Sequence, residues 1–214
     1  MGQSAGGLHL HHPGQPARQR GLGLGEKSLR IGGALERSRA NGPGERFVVW
    51  LKGCALACPG CFNPHLWDPE GGEEVSAVSL AARIHAVAGL RGVTLSGGEP
   101  LEQPEAVLEL LSLLDRRLDT VIFTGFSLAE IQADPRKAPV LTRVDLLVAG
   151  RYLRERDSDH NLWAGSSNKE VHALTGRIGA CETPEARVEL FIGPDGVVTT
   201  TGFPTPDLLK RLKT

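Results

Sequence analysis

The sequence predicts an α/β fold whose strands are mostly parallel, and the order of its apolar segments supports this prediction. Segments rich in β-branched and apolar residues predict short strands at 46–51, 92–96, 120–124 and 144–150. Amphipathic segments predict helices at 79–90, 103–118 and 127–134. Because strands and helices alternate along the chain, the strands are expected to run parallel with right-handed crossovers between them.

The first strand and the first helix have clear local signals. The segment RFVVWL at 46–51 is short, β-branched and aromatic, and a glycine lies just beyond it. In the helix predicted at 79–90, Leu80 and Ile84 share one face, and Ser79 is a candidate N-cap. These features predict that the helix packs its apolar face against the sheet.

The later elements follow the same logic until Gly150. The helix predicted at 103–118 has Pro104 in its first turn and arginines near its end, which suits the helix dipole. Beyond Gly150 the segment 151–170 is polar and long for a plain connection, so we expect a functional loop there. The segment 188–200 then predicts two strands around a Pro-Asp-Gly turn.

Composition excludes several classes of partner. A net charge of −1 at pH 7 provides no bulk attraction for nucleic acid or for an anionic membrane. No segment approaches the roughly 18 consecutive apolar residues of a membrane span, and the N-terminus has no signal-peptide pattern. We therefore expect a cytoplasmic protein with a glycine-rich disordered tail at 1–25 and one domain at 26–214.

Unusual residues follow each predicted strand. A loop with three cysteines, 54–61, follows the first strand, and the turn SGGEP, 96–100, follows the second. Thr-Gly-Phe follows the third strand and Ala-Gly-Arg-Tyr follows the fourth. Because the C-terminal ends of parallel strands share one rim of a sheet, we expect these segments to form one site.

Three of the four cysteines have the spacing Cys54-x3-Cys58-x2-Cys61. Clustered thiols in a reducing compartment more often hold a metal than form disulfides. A structural zinc site closes with four ligands, and an iron–sulfur cluster usually takes four thiolates, so three cysteines leave one iron open. The spacing favours an open cluster over a zinc site or unligated thiols, and Cys181 is predicted to be a lone thiol rather than a distant fourth ligand.

The turn Gly97-Gly98-Glu99-Pro100 is a weaker signal by itself. Glycine lets the backbone come close to a ligand because it has no Cβ atom. Glu99 could then accept a hydrogen bond from a bound amine, while Pro100 stiffens the turn. An ordinary tight turn is the alternative interpretation.

Taken together, the chain resembles the radical S-adenosylmethionine superfamily and, within it, the activating proteins of anaerobic (class III) ribonucleotide reductase. The matching stretches are NGPGERFVVWLKGCALACPGCFNPHLWD, VTLSGGEPLEQPE, VIFTGFSLAEI, DLLVAGRY and GSSNKEVHALTGR. They occur in family order over roughly residues 29–203. The expected fold is therefore an incomplete (β/α) barrel of five to six mostly parallel strands, a radical S-adenosylmethionine domain at 26–214.

The resemblance implies that Cys54, Cys58 and Cys61 hold three irons of a [4Fe–4S] cluster and that S-adenosylmethionine chelates the fourth. No catalytic residue is expected beyond these cluster ligands. The implied cofactor contacts are Gly97, Gly98, Glu99, Pro100, Phe62, Thr124, Ser166 and Asn168. Gly60 stands where the superfamily often has an aromatic residue, which makes Phe62 a candidate for the adenine contact. Asn41 stands where the family often has Asp, and we expect it only to alter a turn.

The resemblance also implies a reaction and partners. An electron from a low-potential donor such as flavodoxin or ferredoxin would cleave the cofactor, and the resulting radical would take hydrogen from a glycine of the reductase catalytic subunit. The partner is expected to cover the site, with Arg151 and Lys169 of the polar loop at the contact. The alternatives are action on another glycyl-radical enzyme, a peptide or a small molecule, or a non-enzymatic metal-binding or electron-transfer module.

Overall fold

The computed structural model describes residues 26–156, 163, 165–179, 181–196, 198–205, 208, 210 and 211. The tail predicted at 1–25 lies outside the described residues. Seven strands form the main sheet: β1 (Ser28–Ser38), β2 (Arg46–Leu51), β3 (Glu73–Ser76), β4 (Gly92–Gly97), β5 (Asp119–Phe123), β6 (Leu146–Ala149) and β7 (Glu170–Ala173). Their order in the sheet is β3-β1-β2-β4-β5-β6-β7.

The α-helices among the described residues connect strands of the main sheet. The α-helices are α1 (Ala77–His85), α2 (Pro104–Leu113) and α3 (Leu128–Ala133). Short 3-10 helices occur at Pro64–Leu66, Pro100–Glu102, Ala138–Arg143 and Arg154–Arg156. A separate antiparallel hairpin, β8 (Val188–Ile192) and β9 (Val198–Gly202), matches the two strands predicted around the Pro-Asp-Gly turn. None of the helices among the described residues has the length and apolar character to cross a membrane.

The central strands β2, β4, β5 and β6 run parallel, as the alternation of strands and helices predicted. The remaining pairs are antiparallel, because β1 joins β2 to β3 and β7 pairs with β6. The described sheet therefore has seven strands and is mixed, so the predicted number of five to six strands was too low. The missed strands lack the usual signal: β1 contains two adjacent glycines, and β3 and β7 are only four residues long, with three and two polar residues respectively.

Three helix boundaries differ from the predictions by two residues or more, and one of them is the end of α1, at His85 rather than at residue 90. Helix α1 begins at Ala77 because Ser76, not Ser79, is the N-cap, and its hydroxyl accepts a hydrogen bond from the Ser79 amide at 3.1 Å. Helix α2 ends at Leu113, since Leu114 has extended backbone, and the arginines expected in its last turn lie beyond it. Local patterns identified both helices but not their ends.

Both faces of the parallel strands are covered, which explains their nearly continuous apolar sequences. On one face the core contains residues of β2, β4 and the helices, including Phe47, Leu95 and Leu110. On the other face a smaller cluster joins β5 and β6 to Trp163 and Ile178. The rigid layer formed in this way holds the loops at the C-terminal ends of the strands.

A buried ionic network lies at the opposite, N-terminal ends of the parallel strands. The Arg46 side chain is fully buried, and its Nη1 atom lies 2.6 Å from Asp119 Oδ1. Arg46 Nε donates to Thr94 Oγ1 at 2.8 Å, and Arg91 Nε donates to Asp119 Oδ2 at 2.9 Å. Asp119 therefore pairs with two cations, one of which has no access to water.

Asn41 does more than alter a turn, contrary to the prediction. It is buried, and its Nδ2 atom donates to Ser38 Oγ and to Thr201 Oγ1, both at 2.8 Å. The carboxylate of Glu189 in β8 also accepts from the Arg39 amide at 3.0 Å. These bonds attach the β8–β9 hairpin to the end of β1.

Candidate functional site

The cysteine loop follows β2 at the C-terminal end of the parallel strands, as predicted. Its start is held by backbone hydrogen bonds from Gly53 to Leu66 O at 2.8 Å and from Cys54 to Trp67 O at 2.9 Å. The 3-10 helix at 64–66 therefore closes the loop on the strand from which it departs. This arrangement presents the segment with the cysteines at the rim of the sheet.

The three thiols of this loop are half-buried, and none forms a disulfide. A turn brings two of them close in the backbone, because the Cys61 amide donates to Cys58 O at 3.0 Å. The Asn63 amide donates to Cys61 Sγ at 3.4 Å. Amide hydrogen bonds to cysteine sulfur are among the interactions that tune iron–sulfur clusters.

The Cys54 thiol lies near both carboxylates and backbone amides. Burial raises the pKa of the Cys54 thiol, and the nearby carboxylates of Glu99 and Glu102 add to this increase. The backbone amides of Leu56 and Ala57 act in the opposite direction because they stabilise the thiolate. A bound cation would stabilise the thiolate further, since metals bind thiolates and release their protons.

The donor set fits an iron–sulfur cluster with one position left for another ligand. Within the described ranges, no group of three His, Cys, Asp or Glu side chains is arranged to hold a single metal ion. Cys181 is exposed, and the adjacent Glu182 pairs with Arg91 at 2.5 Å, just before the first residue of β4. Cys181 therefore lies towards the end of the sheet away from the cysteine loop, where it cannot supply the fourth ligand.

The glycine turn contacts the cysteine loop directly through its backbone. Gly98 donates to Leu51 O at 2.8 Å, and the Glu99 amide donates to Gly53 O at 2.8 Å. A Cβ atom on Gly98 would lie within 3.0 Å of Gly53 O, which explains the need for glycine. The cysteine loop and the glycine turn are therefore held together by their backbones, without any side chain between them.

Replacing Gly98 with alanine is expected to lower both stability and iron content. The added methyl group would push against the Gly53 carbonyl, and overpacking of this kind costs about 1–3 kcal/mol. The matched control is Gly176→Ala, because a Cβ atom at Gly176 would have no neighbour within 4 Å. Thermal unfolding and iron analysis after anaerobic reconstitution will test this, and equal effects of the two substitutions would contradict it.

Glu99 is fully buried and joins the glycine turn to the loop that follows β5. Its Oε1 atom accepts from the Leu101 amide at 2.9 Å and from Thr124 Oγ1 at 2.8 Å, and Oε2 accepts from the Gly125 amide at 2.7 Å. Burial raises the pKa of Glu99, while these hydrogen bonds lower it. A carboxylate has about four acceptor positions, so these three hydrogen bonds leave one of them unfilled.

Lys169 lies beside this carboxylate. Its Nζ atom donates to Gly150 O at 2.6 Å and to Thr124 O at 3.3 Å, so it connects the ends of β5 and β6. Burial lowers the pKa of Lys169, and the nearby charge of Glu99 opposes this decrease. The sequence prediction placed Lys169 at a partner surface, whereas the structure places its ammonium group inside the rim.

Arg151, the other cation expected at a partner contact, is also held by the chain. Its guanidinium donates to Gly125 O at 2.9 Å and to Glu130 Oε2 at 3.0 Å. Hydrogen bonds from Ser127 and from Arg151 lower the pKa of Glu130 to about 2, so this carboxylate is charged at neutral pH. Part of the polar loop, 157–162, lies outside the described residues.

The predicted contacts Ser166 and Asn168 reach the same rim. Ser166 is buried, and its hydroxyl accepts from the Leu153 amide at 3.5 Å. Asn168 Nδ2 donates to Arg151 O at 2.9 Å, whereas its Oδ1 atom is buried and has no hydrogen-bond partner among the described residues. An unsatisfied buried acceptor is costly, so this atom suits a ligand that donates a hydrogen bond.

An aromatic pair forms another wall of the rim. Phe62 packs edge-on against Tyr152 with ring centres 5.1 Å apart, and its ring lies against Gly165, where a Cβ atom would come within 3.0 Å. At Gly60, which has a φ of +81°, a Cβ atom would meet the Arg154 guanidinium. The sequence placed Tyr152 in a segment expected at the site without giving it a role, and it missed Arg154, because nothing in the local pattern shows which side chains will reach the cysteine loop.

Known proteins share this arrangement of sequence segments. Residues 40–172 match the protein family described as 4Fe-4S single cluster domain. The chain is 32% identical over 148 residues to the anaerobic ribonucleoside-triphosphate reductase-activating protein of Salmonella typhi, a match covering 63% of this chain and 92% of that protein. The chain belongs to the family of anaerobic ribonucleoside-triphosphate reductase-activating proteins. The family member from Escherichia coli (strain K12) is 32% identical over 144 residues, with shares of 63% and 92%.

These matches confirm the family, the enzyme class and the [4Fe–4S] cluster that the sequence predicted. The matched residues 40–172 contain the cysteine loop, the glycine turn and the rim residues up to Lys169. Among solved structures, QueE from Escherichia coli is 20% identical, with a TM-score of 0.39 over 46% of this chain and 53% of that chain.

Proposed function

We propose that this protein activates an anaerobic ribonucleotide reductase by generating a glycyl radical on the reductase catalytic subunit. One observation carries the proposal: three thiols lie in one loop, the residues just before that loop accept backbone hydrogen bonds from a glycine turn, and the remaining cysteine lies far from them. When bound, a [4Fe–4S] cluster and S-adenosylmethionine supply one-electron chemistry that removes hydrogen from a glycine Cα.

In this proposal, Cys54, Cys58 and Cys61 hold three irons, and the amino and carboxylate groups of S-adenosylmethionine occupy the fourth position. Gly97 and Gly98 let the backbone approach the methionine end, because neither has a Cβ atom. The remaining acceptor position of Glu99 binds the amino group. Pro100 begins the 3-10 helix that keeps the turn in place and leaves the Glu99 carboxylate at the rim.

The nucleoside end of the cofactor is assigned to the other rim loops. Phe62, supported by Tyr152, offers an aromatic face for adenine. Asn168 Oδ1 is an unsatisfied acceptor suited to a ribose hydroxyl. Thr124 and Ser166 act less directly, since their hydroxyls hold Glu99 and the Leu153 backbone in place.

We further propose that residues 26–214 form one radical S-adenosylmethionine domain in which the sheet curves as an incomplete barrel around the site. A low-potential donor such as flavodoxin or ferredoxin supplies the electron. The reductase covers the rim during turnover, because water and oxygen would otherwise intercept the reaction. A cluster held in an exposed loop suits the reducing cytoplasm, where thiols and clusters persist.

The test is anaerobic reconstitution with iron and sulfide, followed by reductant, S-adenosylmethionine and the reductase catalytic subunit. We expect 5′-deoxyadenosine in solution and a glycyl radical signal in the electron paramagnetic resonance spectrum of the reductase. Omitting S-adenosylmethionine is the control and should abolish both. Formation of 5′-deoxyadenosine without the glycyl signal would instead favour another glycyl-radical enzyme, a peptide or a small molecule as substrate.

A further inference from the structure

Lys169 places a fixed positive charge inside the rim. Two backbone carbonyl groups, those of Gly150 and Thr124, accept hydrogen bonds from its Nζ atom at 2.6 and 3.3 Å. These carbonyls belong to the residues that directly follow β6 and β5, so the rigid sheet determines where the ammonium group lies. An acceptor pair of this kind favours the charged form of the side chain.

Lys169 lies between the Glu99 carboxylate and the cysteine loop, and these two neighbours differ in how many hydrogen bonds they already accept from the chain. On one side is the Glu99 carboxylate, which already accepts three hydrogen bonds from the chain. On the other side is the cysteine loop: its Leu56 side chain lies against Gly125, the residue after Thr124, and the charges of Cys58 and Cys61 favour the ammonium form of Lys169. Lys169 therefore lies between the buried carboxylate and the loop that carries both thiols.

We propose that Lys169 raises the reduction potential of the cluster held by Cys54, Cys58 and Cys61. This inference rests on the proposed function, because it requires that cluster. Reduction adds one electron, supplied by the external donor, to a group that already carries the charge of its thiolates. A fixed cation stabilises the reduced form more than the oxidised form, and partial burial limits its screening by salt.

The expected size of the effect follows from Coulomb's law. For a unit charge on the order of 10 Å from the added electron, an effective dielectric constant of about 20 gives roughly a tenfold change in the redox equilibrium. A tenfold change corresponds to about 59 mV for a one-electron couple. Shifts of this size are measurable by redox titration of the reconstituted protein.

The experiment compares Lys169→Gln and Lys169→Met with Lys169→Arg and Arg117→Gln, using reconstituted protein without S-adenosylmethionine. Gln retains an amide group that can donate hydrogen bonds and Met has no donor, so a shared effect identifies the charge rather than the hydrogen bonds. Arg117 is the distant control, because its side chain is 90% exposed and precedes β5 at the opposite end of the sheet. Electron paramagnetic resonance at controlled potentials measures the reduced fraction.

We expect both neutral variants to need a lower potential, with roughly tenfold less reduced cluster at the midpoint potential of the unsubstituted protein. Lys169→Arg and Arg117→Gln should titrate like the unsubstituted protein. If the neutral variants take up the cluster and titrate like the unsubstituted protein, the inference about Lys169 is wrong and the proposed function is unaffected. Loss of the cluster in both neutral variants but not in Lys169→Arg would also overturn the inference, since the ammonium group would then serve assembly. If the unsubstituted protein takes up no cluster, the proposed function fails as well.

Discussion

Replacing Cys58 with alanine will give a chain that folds but retains little iron and produces no glycyl radical. Each of the three loop thiols is proposed to hold a different iron, and the fourth iron must stay free for S-adenosylmethionine. With only two thiolates, two irons have no protein ligand, and a loop this small cannot replace the missing one. Iron and sulfide content after anaerobic reconstitution, and the glycyl radical signal, are the measurements; Cys54→Ala and Cys61→Ala should behave alike.

Cys181→Ala is the matched control for these substitutions. Cys181 is exposed and adjoins Glu182, whose partner Arg91 lies just before β4, away from the rim. The control variant should keep the iron content and the radical yield of the unsubstituted protein. Loss of iron from Cys181→Ala as severe as that from Cys58→Ala would indicate a closed site with four thiolates, and the proposed function would be wrong.

Replacing Asp119 with alanine will lower the free energy of unfolding by about 3–5 kcal/mol, the usual cost of breaking a buried ion pair from one side. The substitution leaves the Arg46 guanidinium without a carboxylate, although this side chain has no exposed surface. It also removes a partner of Arg91. Most of the cost comes from the buried charge, since water cannot reach Arg46 to replace the lost carboxylate.

Two further variants separate the buried charge from an ordinary ion pair. Arg46→Met removes the buried charge and leaves Asp119 paired with Arg91, so the loss should be smaller than for Asp119→Ala. Asp115→Ala removes a solvent-exposed partner of Arg117 and should change little. Urea unfolding under anaerobic conditions measures all three. Equal midpoints for Asp119→Ala and Asp115→Ala would contradict the role of the buried network.

The parallel centre of the fold was predictable because its signals are local. The segment RFVVWL coincides with β2, and VIFT overlaps β5, since runs of β-branched residues favour strands wherever they lie in the chain. The cysteine spacing and the glycine turn were likewise visible as short motifs. Their meeting at one rim followed from topology, because parallel strands place their C-terminal ends together.

Other features could not be predicted because they depend on residues distant in sequence. β1 has glycines where a strand signal is expected, and it forms because β2 and β3 pair with its two edges. Asn41 reads as a turn residue, yet its partner Thr201 comes from the hairpin near the other end of the chain. Such long-range pairing leaves no periodic pattern in the sequence of either segment.

The sequence by itself predicted the chemistry of this protein, since three thiols at this spacing favour an open cluster, and the resemblance to a known family joined them to the glycine turn. Only the tertiary structure decided the charges around that cluster. It moved Lys169 from a predicted surface to the inside of the rim and separated Cys181 from the other thiols. The reason is physical: ligand type is a property of individual residues, whereas an electrostatic environment depends on which distant side chains share a buried space.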